Sequence, residues 1–296
     1  MPSASDFDES FNQFALGHGT HVAGIAGSAI NISNGVSGVC WNCSLAVAKA
    51  TTASGFSDIT IATSIYGMVR RGVQAMNLSL GFGSKVCVAG VADTPCDAIQ
   101  FAFDRDTIIV AAAGNHKTNL QFFASDSRAF SVGGYQSNAQ TWDQQLALST
   151  DSPARAPGST LEIGTNFGAN QLVVAPARDV LSPFFTNQQW QSRCRSVTTF
   201  ITSPPYDQFS PTAQVTQSIY AASSGNQYGI CTGTSMVAPH IADLVGLIRS
   251  TDPLLTIAQV RSNIQQASGG VFIDNVWVMD SRTHKSHLPT HFPHNV

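Results

Sequence analysis

Three short stretches carry side chains that together could work on a carbonyl carbon: GHGTH at 17–21, AAAGN at 111–115 and GTSMVAPH at 233–240. Ser235 stands directly ahead of Met236, Ile241, Leu244, Val245, Leu247 and Ile248, which recur at helical spacing, and Pro239 is expected within the first turn, where proline is best tolerated. A serine at a helix N-terminus meets unpaired N–H groups and the positive end of the helix dipole, an environment that favours an alkoxide or a neighbouring oxyanion. Gly233 allows a substrate to come close. His18, between two glycines, is the residue type that takes a proton from a serine and returns it to a leaving group. Asn115, at the end of an apolar run, can donate its amide to an oxyanion beside the backbone N–H of Ser235, which is the arrangement acyl transfer requires. Each residue alone also has a plain structural reading: Ser235 as an N-cap, His18 as a buried support, Asn115 as a turn former. Only their combination favours chemistry.

Positioning three such groups calls for a rigid frame. The runs SLAVAKA (44–50), AMNLSLG (75–81), TIIVAAAGN (107–115), AFSVGGY (129–135) and QLVVAPA (171–177) are continuously apolar, as strands buried on both faces of a parallel sheet are. Helix patterns separate them. Ser57 is a candidate N-cap for a helix with Ile61, Ile65, Met68 and Val69 inward and Gly72 as its stop; a second helix over 96–105 puts Ile99, Ala102 and Phe103 inward. Strand and helix in alternation predict a doubly wound α/β sheet with helices on both faces, whose sites form beyond the carboxyl ends of the strands, at Ser79, Leu80, Gly81, Gly114 and Asn115. From 136 to 230 the pattern loosens into long insertions around one strand at 171–176. After about 270 the register is lost, so one domain over 1–270 and a poorly ordered tail over 271–296 are expected. The tail histidines His284, His287, His291 and His294 lie among prolines that break any shared ligand face.

Composition narrows the function. Charged residues are 11% of 296, against about a quarter in ordinary domains, and the net charge is −3, so no basic footprint for nucleic acid exists. No stretch approaches the roughly 18 uninterrupted apolar residues of a membrane span, and the first residues lack the basic start and apolar centre of a signal peptide. Six cysteines form an even set, consistent with disulfides and an oxidising compartment. Cys87 and Cys96 bracket a short loop and are the expected local bridge, Cys194 with Cys231 follows by elimination, and CWNC at 40–43 reads as a disulfide or buried thiols ahead of a redox pair or half a zinc site.

GHGTHVAG, NLSLG, AAAGN and GTSMVAPH, in this order from 17 to 240, resemble the subtilisin-like serine endopeptidases, the subtilases. The resemblance implies one α/β domain and peptide-bond hydrolysis through an acyl-enzyme, with Ser235 as nucleophile, His18 as general base and Asn115 in the oxyanion hole; His21 maps to a supporting position. It implies that Ser79, Leu80, Gly81 and Gly114 bind an extended polypeptide substrate along its main chain. No cofactor is required for that chemistry. Structural calcium is possible in such a protein, but no position-matched ligands are found. A monomer, secreted or periplasmic in its complete form, is expected.

One departure matters. Subtilases place a catalytic Asp at the end of a strand well ahead of the His. Here Asp6 and Asp8, in a polar stretch, are the only Asp candidates ahead of His18, so the triad Asp and its strand are expected upstream of residue 1. The alternative reading is therefore a catalytically impaired, subtilase-like protein that binds peptides without cleaving them. An unrelated small-ester hydrolase would show G-x-S-x-G and the order Ser, acid, His, which this chain does not.

Overall fold

A computed structural model describes residues 18–28, 37–52, 55–81, 83, 85–88, 90–135, 141–147, 160–177, 180–183, 194–196, 228–268, 272–273 and 276–278. The described chain opens with helix α1 (His18–Gly27), then a small hairpin of β1 (Thr51–Thr52) and β2 (Gly55–Phe56). Helix α2 (Asp58–Arg70) begins as its sequence predicts: Ser57 Oγ accepts from the Thr60 N–H at 3.1 Å, and Thr60 Oγ1 accepts from the Ser57 N–H at 3.1 Å, a reciprocal cap. Strand β3 (Ala75–Leu78), helix α3 (Thr94–Phe103), strand β4 (Ile108–Ala112) and strand β5 (Phe130–Tyr135) follow.

Beyond them come a separate hairpin of β6 (Asp143–Ala147) and β7 (Thr160–Gly164), then strand β8 (Gln171–Pro176). Strands β9 (Val180–Pro183), β10 (Cys194–Ser196) and β11 (Tyr228–Cys231) form a small antiparallel sheet; helices α4 (Thr234–Thr251) and α5 (Ile257–Ala267) and the strands β12 (Phe272–Ile273) and β13 (Val276–Val278) complete the order. The main sheet runs β12-β13-β8-β5-β4-β3, and every neighbouring pair is parallel except β12 with β13.

Alternation along β4 sorts the core into two layers. Ile109 and Ala111 face α2 and α3, packing with Ile61, Ile65 and Ile99, whereas Ile108 and Val110 face α4 and α5, packing with Val237, Ile241, Val245, Val260 and Ile264. This is the doubly wound α/β arrangement.

Several sequence expectations need correction. Residues 44–50 form no strand, and Leu45 and Val47 are exposed. An apolar run becomes a strand only where neighbours supply hydrogen bonds, and among the described residues none lies alongside. Helix α3 starts at Thr94, two residues early, because Pro95 fits its first turn, and Phe103 ends it half exposed instead of facing inward. The stretch 136–230 contains short strands besides β8, and the main sheet continues past residue 270 through β12 and β13, where the apolar pattern is too brief to read.

Candidate active site

Helix α4 crosses the sheet over β3, β4, β5 and β8, and its N-terminus lies beside the carboxyl ends of β3 and β4. Gly233 enters it at φ 156° and ψ 162°, a backbone state essentially confined to glycine, with its N–H held by Ala177 O at 2.8 Å. The next residue, Thr234, is buried and donates twice to Asn115 Oδ1, from its N–H and from Oγ1, each at 2.9 Å. A backbone N–H can only donate, so the amide atom facing it is the oxygen. Asn115 is thereby fixed with Oδ1 spent on Thr234 and Nδ2 left as the donor. Thr234 Oγ1 in turn accepts from the Gly114 N–H at 3.1 Å, which ties the two segments together.

Ser235 and Ser79 exchange contacts. Ser235 Oγ donates to Ser79 O at 3.3 Å, and Ser79 Oγ donates to Ser235 O at 2.7 Å while accepting from Asn77 Nδ2 at 3.0 Å. The second bond has a covalent cause. Pro239 lies inside α4, beyond the first turn where its sequence context suggested it, and as the residue four positions on it has no N–H to offer Ser235 O. Ser79 supplies the missing donor. Leu80 packs partly buried against the α2 and α3 core, and Gly81 sits against Gln121 and Phe122.

Gly114 adopts φ 105°, and a Cβ there would collide with Asn166 Nδ2. Asn166, fully buried, clamps the segment that follows: its Oδ1 accepts from the N–H groups of His116 (2.8 Å) and Thr118 (3.2 Å), its Nδ2 donates to Asn119 O (2.9 Å), and its own N–H donates to Gly114 O (2.9 Å). Sequence reasoning missed both Thr234 and Asn166. Thr234 was legible as a hydroxyl at a helix start; Asn166 gave no signal, being 51 residues from Asn115.

His18 opens α1. Val22 and Ile25 of that helix share one core cluster with Met236 and Cys231, so α1 packs through its middle and second half against the start of α4. The His18 ring is partly covered, and burial lowers its pKa below 6.5, which favours the neutral imidazole. No hydrogen bond joins His18 to Ser235 among the described residues: the helices meet, while the Ser235 hydroxyl turns to Ser79. His21 is fully buried and its Nε2–H donates to Val180 O at 3.1 Å, a supporting bond between α1 and β9. Further along α4, His240 Nδ1–H donates to Met236 O at 2.7 Å, and burial lowers its pKa; burial raises that of Asp243 to about 7.

Asp6, Asp8 and the tail histidines lie outside the described residues. Among those described, no group of three or more His, Cys, Asp or Glu could hold a metal, and no helix is long and apolar enough to cross a membrane. Disulfides join Cys40 to Cys43 and Cys87 to Cys96; Cys231 is also disulfide-bonded, with Cys194 directly opposite it in the β10–β11 ladder.

The subtilase family (peptidase S8) matches residues 3–288, and this chain belongs to it. It is 27% identical over 250 residues to a thermophilic serine proteinase of Bacillus sp. strain AK1, covering 84% of this chain and 44% of that one. It is 27% identical over 271 residues to M-protease of Shouchella clausii strain KSM-K16, covering 91% and 54%. The chain thus spans about half the length of these curated relatives. A protease structure from Pseudoalteromonas arctica shares the fold, with TM-score 0.60 and 24% identity over 87% of this chain and 66% of that one.

Proposed function

We propose that this chain is a serine endopeptidase of the subtilisin type, hydrolysing peptide bonds of extended polypeptides through an acyl-enzyme. Ser235 is the nucleophile, His18 the general base, and Asn115 Nδ2 with the Ser235 N–H the oxyanion donors. Ser79, Leu80, Gly81 and Gly114 bind the substrate backbone by strand addition. The observation that carries the reading is the Asn115 amide, locked by two bonds from the residue preceding Ser235 to its oxygen, which leaves Nδ2 with no partner among the described residues. Lowering of the His18 pKa supports its role, because only neutral imidazole accepts the serine proton. The reaction as proposed uses side chains and backbone alone. Disulfides support an oxidising compartment, secreted or periplasmic, and nothing in the proposed chemistry needs a second copy of the chain.

A fluorophosphonate probe with casein as substrate tests this. Covalent labelling that disappears in Ser235→Ala, together with casein cleavage, is the expected result. Casein held on the protein but left intact, without labelling, would replace the enzyme reading with peptide binding. Labelling that survives Ser235→Ala would overturn the nucleophile.

A further inference from the structure

Two turns beyond Ser235, α4 carries Asp243, 8% exposed, whose Oδ2 has no hydrogen-bond partner among the described residues. Three positions further, a Cβ built on Gly246 would stand 3.4 Å from Cys43 Sγ, so the Cys40–Cys43 disulfide lies directly on the α4 backbone. Residues three apart on a helix are neighbours, about 5–6 Å between Cβ atoms. The disulfide and the unpaired carboxyl therefore share one side of α4.

A bridge in this place contributes little as a staple. It closes a sequence separation of three, whereas a disulfide stabilises mainly by closing long loops. Backbone bonds already hold the turn: Cys43 N–H to Cys40 O, Cys40 N–H to Ala26 O and Val39 N–H to Ile25 O, each at 3.0 Å. Cys40 is buried, Cys43 is half-buried, and Trp41 and Asn42 between them are exposed, which leaves an approach from solvent.

We propose that Cys40–Cys43 is a thiol–disulfide exchange site whose substrate is an external dithiol, and that Asp243 supplies the proton to the sulfur that leaves. The dithiol's thiolate attacks Cys43 Sγ, forming a mixed disulfide as the Cys40–Cys43 bond breaks. The electron pair goes to Cys40 Sγ, which is released as a thiolate and takes the Asp243 proton. The second thiol of the reductant then attacks its own mixed-disulfide sulfur, freeing Cys43 as a thiolate that is protonated from water. Two electrons pass from the dithiol, which leaves as a cyclic disulfide, and the protons it loses restore Asp243 and balance Cys43.

The other titratable or charged groups on α4 and the elements packed against it are His240 and Arg249 on α4, His18 and His21 on α1, Arg261 on α5 and Tyr135 on β5; Arg249 is spent on Asp106, and Arg261 donates to Ala129 O. Residues 37–44 contain no charged side chain, and the sheet side of α4 is apolar. The His240 and His21 rings each already donate to a carbonyl. Asp243 is thus the acid at hand. The turn also holds the C-terminal end of α1, so reduction would loosen the helix that begins with His18; that consequence rests on the protease reading, whereas the exchange itself does not.

The test treats the intact protein with dithiothreitol from pH 5 to 9, traps thiols by alkylation, and compares rates at Cys40–Cys43 and Cys87–Cys96 by peptide mass. The second bridge is an internal control that cancels the reagent's own ionisation. Cys40–Cys43 is expected to open first, and the ratio of the two rates to fall by roughly tenfold as pH rises past the point where Asp243 loses its proton. Asp243→Asn should flatten that profile. Earlier or equal opening of Cys87–Cys96, or a flat ratio in the unmodified chain, would overturn the proposal. Both are read on sulfur, so they stand apart from any failure of proteolysis, and the unmodified chain suffices if Asp243→Asn does not fold.

Discussion

Helix α4 carries two polar regions that are handled in opposite ways. At its first turn nearly every donor and acceptor has a partner: Thr234 with Asn115 and Gly114, Ser235 with Ser79, Ser79 with Asn77. On its third turn Asp243 is buried with one oxygen unpaired among the described residues. Both regions sit on the same rigid scaffold, so the contrast lies in the side chains and not in the backbone. A satisfied network fixes geometry, which preorganised charge stabilisation requires; a buried, unsatisfied carboxyl keeps its proton up to about pH 7, where an ordinary one has long lost it.

Removing the Asn115 donor should give the largest effect. Asn115→Ala is expected to lower kcat by about 10²–10³, or roughly 3–4 kcal/mol, with KM little changed; that scale comes from subtilisin, a relative, and not from this chain. Asn115→Asp sharpens the point, because it keeps an acceptor for Thr234 while losing the donor and adding negative charge. Activity should fall at least as far with the fold intact by circular dichroism. An Asp variant as active as the parent would mean that the amide orientation has no catalytic meaning.

Asp243 should show the reverse, a gain on removal. Its pKa is raised in the folded state, to about 7, from an unfolded value near 3.9, so the native state binds the proton more tightly. That contribution to stability is fully present below the unfolded pKa and is lost as pH rises through 7. Asp243→Asn should therefore stabilise the protein by about 2–4 kcal/mol at pH 8 and by almost nothing at pH 4. Urea unfolding at the two pH values checks this. Equal differences at both would show that the carboxyl is ionised throughout.

How far the sequence reveals this contrast depends on whether the cause is local. The α2 cap, the buried strands around 108–112 and 130–135, and the small residues flanking Ser235 are local signals, and each is legible. Helix α5 is also announced, by Thr256 three residues ahead of Gln259, whose side chain and backbone cap each other, although its apolar face is too thin to be conspicuous. What stays hidden is long-range. The Asn166 clamp and the Ser79 hydroxyl act across 48–50 and 156 residues, and the run at 44–50 has strand composition without a described neighbour. Asp243 looks in sequence like one polar break in an apolar helix; only packing makes it buried.

The smallest effect tests whether the first turn is satisfied by design or by chance. Ser79→Ala leaves Ser235 O without its hydroxyl donor in a place where Pro239 cannot provide one, and should cost about 1–2 kcal/mol of stability. In a Pro239→Ala background the residue at 239 regains an N–H directed back along the helix at Ser235 O. The same Ser79→Ala change should then cost only a few tenths of a kcal/mol, giving a coupling of about 1 kcal/mol between residues 160 positions apart. A double-mutant cycle by urea unfolding measures that coupling. Additive costs would mean that the Ser79 hydroxyl serves the substrate strand alone, and the carbonyl of Ser235 would join Asp243 among the groups that α4 leaves unpaired.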